Sequence, residues 1–209
     1  MLARLDISQF ITKLTENFQE SNLFSVLSNH KYGVVLIKEV LKIANNNMNT
    51  RYEILQVLMD NFSNLAFNEY GHYIIEELFQ YYNYYEVESL LSYMSTYITY
   101  ISQNQFSSSI IRKTIELFGD YVCIPYLQVL IAEENREQNI YCGVHDLMED
   151  KSGSFVLHRL IEQTQDKDMK EELLRKMKLQ VPKMKVYEKK QKWMKFFNLW
   201  GTWWLNRLI

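Results

Sequence analysis

The sequence predicts an all-α protein, a solenoid of helical repeats. Only 6 Gly and 2 Pro punctuate 209 residues, which favours helices over a turn-rich sheet. No stretch alternates with period two for long enough to argue for a strand. One pattern also recurs along the chain: HKYGVVLIKEVLK at 30–42, NEYGHYIIEELFQ at 68–80, NQFSSSIIRKTIE at 104–116 and DKSGSFVLHRLIE at 150–162. Each copy has a small residue at its fourth place (Gly33, Gly71, Ser107, Gly153), then two variable residues, two aliphatics and one polar residue. The steps between small residues are 38, 36 and 46. A period in the thirties marks units that cannot bury their apolar faces alone and must stack on one another.

Taken in order, the first element is ISQFITKLTENF at 7–18, whose apolar residues fall at three- and four-residue steps as on an amphipathic helix. The first copy of the repeated segment follows, and NNNMN at 45–49 breaks the chain. TRYEILQVLMDNF at 50–62 is again amphipathic, its Leu and Met stripe turned to a core. In NEYGHYIIEEL a helix puts Glu76 one turn beyond His72 with Tyr73 beside them, and Ile74, Ile75 and Leu78 on the other side. One face goes to a core and the other is shown to something. Gly71 should let this helix start where a side chain would crowd the neighbouring repeat. YYNYY at 81–85 reads as a loop between repeats lined by Tyr81, Tyr82, Tyr84 and Tyr85, and VESLLSYMSTYI at 87–98 is the next amphipathic helix. The polar run AEENREQNIYCG at 132–143 accounts for the long step of 46, as a surface insertion between repeats.

Hydrophobic residues make up 47% of the chain and charged ones 23%, which excludes a disordered chain. Cys123 and Cys142 lack CxxC spacing, so neither a disulfide framework nor a zinc site is expected, and a reducing compartment is the simple reading. MLARLDISQF lacks the apolar run of a signal peptide, and the apolar end FFNLWGTWWLNRLI, residues 196–209, is too short to span a bilayer. There is no GxSxG, P-loop, HExxH or glycine-rich dinucleotide turn, so no enzyme, cofactor, metal or small-molecule substrate is expected. The net charge of −2 hides an asymmetry. Residues 175–195 hold nine Lys or Arg against Glu188 alone, a net of +8, whereas residues 1–174 hold 13 basic and 24 acidic side chains, a net of −11. Such a block is either a polyanion footprint or a solvated helix face.

The repeated segment resembles the Pumilio/PUF repeat, whose second helix begins with an aromatic-Gly or aromatic-Ala pair, then two variable residues, two aliphatics and a fifth polar residue. The order of units is similar too. Phe106-Ser107-Ser108-Ser109 precedes the long step, and VYEKKQKWMKFF at 186–197 takes the place of a degenerate closing unit, with Glu188 lying 35 residues after Gly153. The resemblance covers residues 8–197, with units at about 8–45, 50–82, 86–120 and 122–165 and a cap at 168–197, leaving 198–209 as an aromatic tail. It implies the C-terminal four repeats of a longer array, a curved right-handed α-solenoid whose second helices line the inner surface.

Carried over by position, the RNA-facing residues are Val34, Val35 and Lys38; His72, Tyr73 and Glu76; Ser108, Ser109 and Arg112; Ser154, Phe155 and His158; and, from the cap, Lys189, Lys190 and Trp193. The first and fifth of each set would read a base edge, and the second would stack between bases. None of the four triplets matches the family's common base-reading sets in full, so no target sequence follows. Lys183, Lys185, Lys189, Lys190 and Lys192 are expected to meet phosphates. The function implied is single-stranded RNA binding in the post-transcriptional control of mRNA through untranslated regions, in the cytoplasm, by recruitment of protein co-regulators rather than by chemistry. Two alternatives stand beside it: a nucleolar ribosome-biogenesis protein that binds structured RNA, and a protein-interaction scaffold that has lost RNA reading, which the net −11 of residues 1–174 favours.

Overall fold

The structure, a computed structural model, describes residues 23–45, 48–132 and 143–205, with side chains to 198. The expected helix at 7–18, most of the insertion at 133–142 and the tail side chains lie outside the described residues. Thirteen α-helices and no strand are found among those described. They are α1 (Leu23–Ser28), α2 (Lys31–Ala44), α3 (Met48–Asp60), α4 (Phe62–Ala66), α5 (His72–Tyr81), α6 (Tyr84–Thr96), α7 (Ile98–Gln103), α8 (Ser107–Phe118), α9 (Asp120–Ala132), α10 (Gly143–Glu149), α11 (Lys151–Gln163), α12 (Lys167–Gln180) and α13 (Tyr187–Leu205), with a 3₁₀ turn at Val181–Lys183. No helix of the described residues is long and apolar enough to cross a membrane.

The repeating element is a triplet of helices and not the pair expected. A long helix, a short one and a second long one recur as α3–α4–α5, α6–α7–α8 and α9–α10–α11. The second long helix is always the one that carries the repeated segment. Its start is set by local chemistry. Asn68 accepts hydrogen bonds from the amides of Tyr70 and Gly71, both at 2.8 Å. Asp150 accepts one from Gly153 at 2.7 Å. Ring nitrogen Nδ1 of His30 accepts one from Tyr32 at 3.3 Å. Each polar residue stands three places before the small one and satisfies amides that the first turn leaves unpaired.

The small residue is required by the short helix before it. A Cβ on Gly71 would lie 2.9 Å from both Cα and the carbonyl oxygen of Leu65; on Gly33, 2.2 Å from the carbonyl oxygen of Leu27; on Gly153, 2.9 Å from Cα of Leu147. The residue that would be crowded is always the leucine six positions earlier, in the preceding helix of the same repeat. It does not belong to a neighbouring repeat, as the sequence pattern suggests.

Among the described residues, those within Met1–Leu91 and Gln105–Leu117 form one compact unit, and those within Ser92–Asn104 and Phe118–Ile209 form another. In the first unit Ile37, Leu41, Ile54, Leu58, Ile74, Ile75, Leu78, Ile110 and Ile111 are buried. A charged tie crosses this core. Arg51, 8% exposed, donates to both carboxylate oxygens of Glu86 at 2.7 and 2.8 Å and to the carbonyl of Tyr81 at 3.0 Å. Its guanidinium lies 4.3 Å from the ring centroid of Tyr82. Burial pushes the Tyr82 phenol up to about 12, which keeps its proton for the bond it donates to the carbonyl of Arg51 at 2.8 Å. Asn83 and Glu86 also form a capping box: Glu86 accepts from the Asn83 amide at 2.9 Å, and Asn83 accepts from the Glu86 amide at 3.3 Å. The expected tyrosine-lined loop is therefore only Tyr82-Asn83; Tyr82 is core, and Tyr81, Tyr84 and Tyr85 are helical.

In the second unit Val122, Leu127, Leu130, Leu147, Val156, Leu157, Leu160, Leu173 and Met177 are buried. Lys176, from the basic block, is buried too and donates to the carbonyl of Ile131 at 2.6 Å, near the end of α9, where carbonyls lack helical partners. Arg175 pairs with Glu172 at 2.6 Å. These two cations serve the fold.

Candidate nucleic-acid interface

The four repeated helices place their variable residues in one consistent way. The first place is buried: Val34 and His72 are 5% exposed, Ser108 and Ser154 3%. The reason is helical phase. Val34, Ile37 and Leu41 lie three and four residues apart, as do His72, Ile75 and Phe79; Ser108, Ile111 and Ile115; and Ser154, Leu157 and Ile161, and every one of these residues is buried. The first place is thus the top of the core stripe. For Val34, His72, Ser108 and Ser154 the expected surface position is corrected to a packing position.

The second place faces out. Val35, Tyr73 and Phe155 are about half exposed, although the two residues after each aromatic, Ile74-Ile75 and Val156-Leu157, are wholly buried. Ser109 is the partly buried exception, and its hydroxyl donates to the carboxylate of Glu76. Tyr73 rests on His72, ring centroids 3.9 Å apart, and His72 in turn stacks on Phe106 at 5.4 Å and 24°. The imidazole is held below by its Nδ1, which donates to the Asn68 carbonyl at 2.9 Å. His72 therefore supports Tyr73 from behind.

At the fifth place Arg112 is exposed and, among the described residues, has no partner. Lys38 pairs with Glu77 at 2.6 Å, so Glu77 is not a solvated group. Glu76 keeps one carboxylate oxygen beyond the one that Ser109 uses. His158 is turned inward. It stacks on Trp193, centroids 5.0 Å apart and 14° between planes, and meets Phe196 edge-on at 4.8 Å. Burial, with Lys192 adding to it, lowers its pKa below the ordinary 6.5.

The cap differs most from expectation. Trp193 is wholly buried, and its Nε1 donates to the carbonyl of Met148 at 3.0 Å. It is a core residue and not an RNA contact. The cause lies in the sequence: the two aliphatic places of this unit hold Gln191 and Lys192. These cannot enter a core, so α13 turns Trp193 and Phe196 inward instead. Lys189 is bound to the carbonyl of Glu149 and lies 3.7 Å from its carboxylate. Lys190 is partly exposed and, like Lys183, Lys185 and Lys195, has a side chain without a partner among the described residues. Lys192, expected only as a phosphate ligand, reaches Phe155. No group of three or more His, Cys, Asp or Glu among the described residues could hold a metal ion.

The class defined by this geometry is an α-helical repeat protein that locks one side of each second helix into a core and leaves aromatic and basic side chains on the other. Comparison with solved structures gives the fold a name. The chain is similar to PUF-8 in complex with PBE-RNA, with a TM-score of 0.76 and 15% identity over 92% of this chain and 55% of that one. It is similar to the Puf4 RNA-binding domain bound to an HO endonuclease RNA 3′ UTR recognition sequence, with a TM-score of 0.67 and 15% identity over 90% of this chain and 57% of the other. It is also similar to the Puf3 RNA-binding domain bound to a Cox17 RNA 3′ UTR recognition sequence, with a TM-score of 0.62 and 17% identity over 83% and 46%. The fold is the Pumilio/PUF helical-repeat fold, and the chain spans about half the length of these domains. No family model and no curated protein sequence matches it.

Proposed function

We propose that the protein binds single-stranded RNA along the outward places of its repeated helices and acts by binding, not by catalysis. The observation that carries this reading is the pair Tyr73 and Phe155. Each is an aromatic ring, 48% and 51% exposed, at the same place of a repeated helix whose following residues are wholly buried. A packing role would bury such rings, whereas a base-stacking role needs them open. Arg112 and the unpartnered Lys183, Lys185, Lys190 and Lys195 supply cations for phosphates. The divergent sets Val34-Val35-Lys38 and Ser108-Ser109-Arg112 fit binding with little base reading at those units. Control of mRNA through untranslated regions is the role we infer from the 3′ UTR sequences that Puf3 and Puf4 bind, and action in the cytoplasm with protein co-regulators is proposed with it on the repeat resemblance alone.

Salt dependence tests the electrostatic half of this reading. Replacing Lys185 and Lys190 by alanine together is expected to weaken binding to all single-stranded RNAs alike. It should also reduce the slope of log affinity against log salt by about 1.4, at about 0.7 for each phosphate of a single strand that is no longer neutralised. An unchanged slope would make the block a solvated face. The scaffold reading would gain if the wild type bound no RNA at all.

A further inference from the structure

The last repeated helix pairs its open ring with a cation from another element. Lys192 of α13 lies with Nζ 5.6 Å from the ring centroid of Phe155 and 3.4 Å from Oγ of Ser154, to which it donates. Its Nζ also lies 5.8 Å from the centroid of Trp193. The ammonium carries three N–H donors, and Ser154 takes one. Meanwhile the fifth-place residue that should read a base edge, His158, is stacked on Trp193 and set edge-on to Phe196. The open ring is present, His158 is taken up by the cap, and a cation from the cap lies over that ring.

Resting on the RNA-binding reading, we infer that Phe155 and Lys192 together form a subsite for a keto base, guanine or uracil, with Phe155 stacking on the base and Lys192 donating to its carbonyl oxygen. The chemistry separates bases by sign. Guanine O6 and uracil O4 accept a hydrogen bond, and guanine adds the acceptor N7 beside O6, the pairing that lysine favours. Adenine and cytosine carry an amino group at the corresponding position, whose N–H donors face an ammonium that can only donate. A lysine over bare backbone would attract any phosphate equally. A lysine bonded to Ser154 and 5.6 Å from the ring centroid of Phe155 has two N–H donors left to turn toward a base stacked on that ring.

The test begins with selection of single-stranded RNA from a random pool by the full chain, then measures affinity for the selected RNA with all four bases placed in turn at each position. The wild type is expected to show one position at which guanine or uracil is preferred over adenine and cytosine by about tenfold, within the range of a good base-edge contact. Lys192→Ala is expected to abolish that preference, Lys192→Arg to keep it, and Phe155→Ala to weaken binding there whatever the base. If Lys192→Ala lowers affinity equally for all four bases at every position, Lys192 is a phosphate contact and this inference fails while RNA binding stands. If the wild type selects no RNA, the RNA-binding reading and the inference fall together. Circular dichroism and melting of Lys192→Ala, an exposed position, show that a loss of preference is not a loss of fold.

Discussion

Replacing Trp193 by alanine is expected to destabilise the protein by about 3–5 kcal/mol, the cost of truncating a fully buried aromatic. The Met148 carbonyl, left buried without its donor, adds about 1 kcal/mol. The same change uncovers one face of His158. Its pKa, now held down by burial first and by Lys192 second, should rise toward the ordinary 6.5. The stability consequence in the wild type has a definite sign. With a folded-state pKa below the unfolded one, the unfolded chain takes up the proton first, so this contribution is complete above pH 6.5 and is lost as pH falls through the folded value. Thermal melts of wild type and Trp193→Ala at pH 7.5 and pH 5.5 (roughly one unit either side of an ordinary histidine) report both effects. The pH sensitivity should be weaker in the variant. A variant that melts like the wild type but binds RNA poorly would restore Trp193 to the surface role that the repeat pattern implies.

Replacing Arg51 by alanine is expected to cost about 3–4 kcal/mol, because it leaves the Glu86 carboxylate and the Tyr81 carbonyl without their buried donor. The cost does not come from the ion pair alone. Glu86 also caps its own helix by accepting from the Asn83 amide, so a displaced carboxylate weakens the start of α6 as well. A double-mutant cycle with Glu86→Ala checks this: the coupling energy should be about 1–3 kcal/mol. If the two changes simply add, the ion pair at 2.7 Å contributes nothing specific and the core is held by its aliphatic residues.

The sequence made the repeat legible because one physical demand recurs. A helix that starts hard against the preceding one needs a small residue there and two aliphatics on the next turn, and Gly33, Gly71 and Gly153 mark such starts. The partner of that demand is in the sequence too: Leu27, Leu65 and Leu147 stand six places before Gly33, Gly71 and Gly153. The short helices carrying these residues are not legible, because five to seven residues are too few to show a helical period.

The exposure of the second place was legible and the burial of the first was not. A helix turns about 100° per residue, so neighbouring residues can fall on opposite sides of a boundary. Tyr73 lies open beside a buried His72, and Phe155 beside a buried Ser154. The spacing of Val34, Ile37 and Leu41 carries the information that the first place belongs to the core, but polar residues at His72, Ser108 and Ser154 mask it. In the cap the register inherited from the other units failed once Gln191 and Lys192 replaced aliphatics. Long-range pairs such as Arg51 with Glu86, 35 residues apart, leave no periodic trace at all. The capping box at Asn83 and Glu86 does leave one, in the spacing NYYE.

The most direct measurement is a titration of a labelled single-stranded RNA pool with the wild type and with the double substitution Tyr73→Ala, Phe155→Ala, at low salt. Both side chains are about half exposed, and only Tyr73 rests on a buried residue, His72, so the variant should still fold, which a thermal melt checks. The wild type is expected to bind at micromolar concentration or tighter, and the double variant to lose about 2–6 kcal/mol, at roughly 1–3 kcal/mol per stacked base. Unchanged affinity in the double variant, or no binding by the wild type, would contradict RNA binding through these rings.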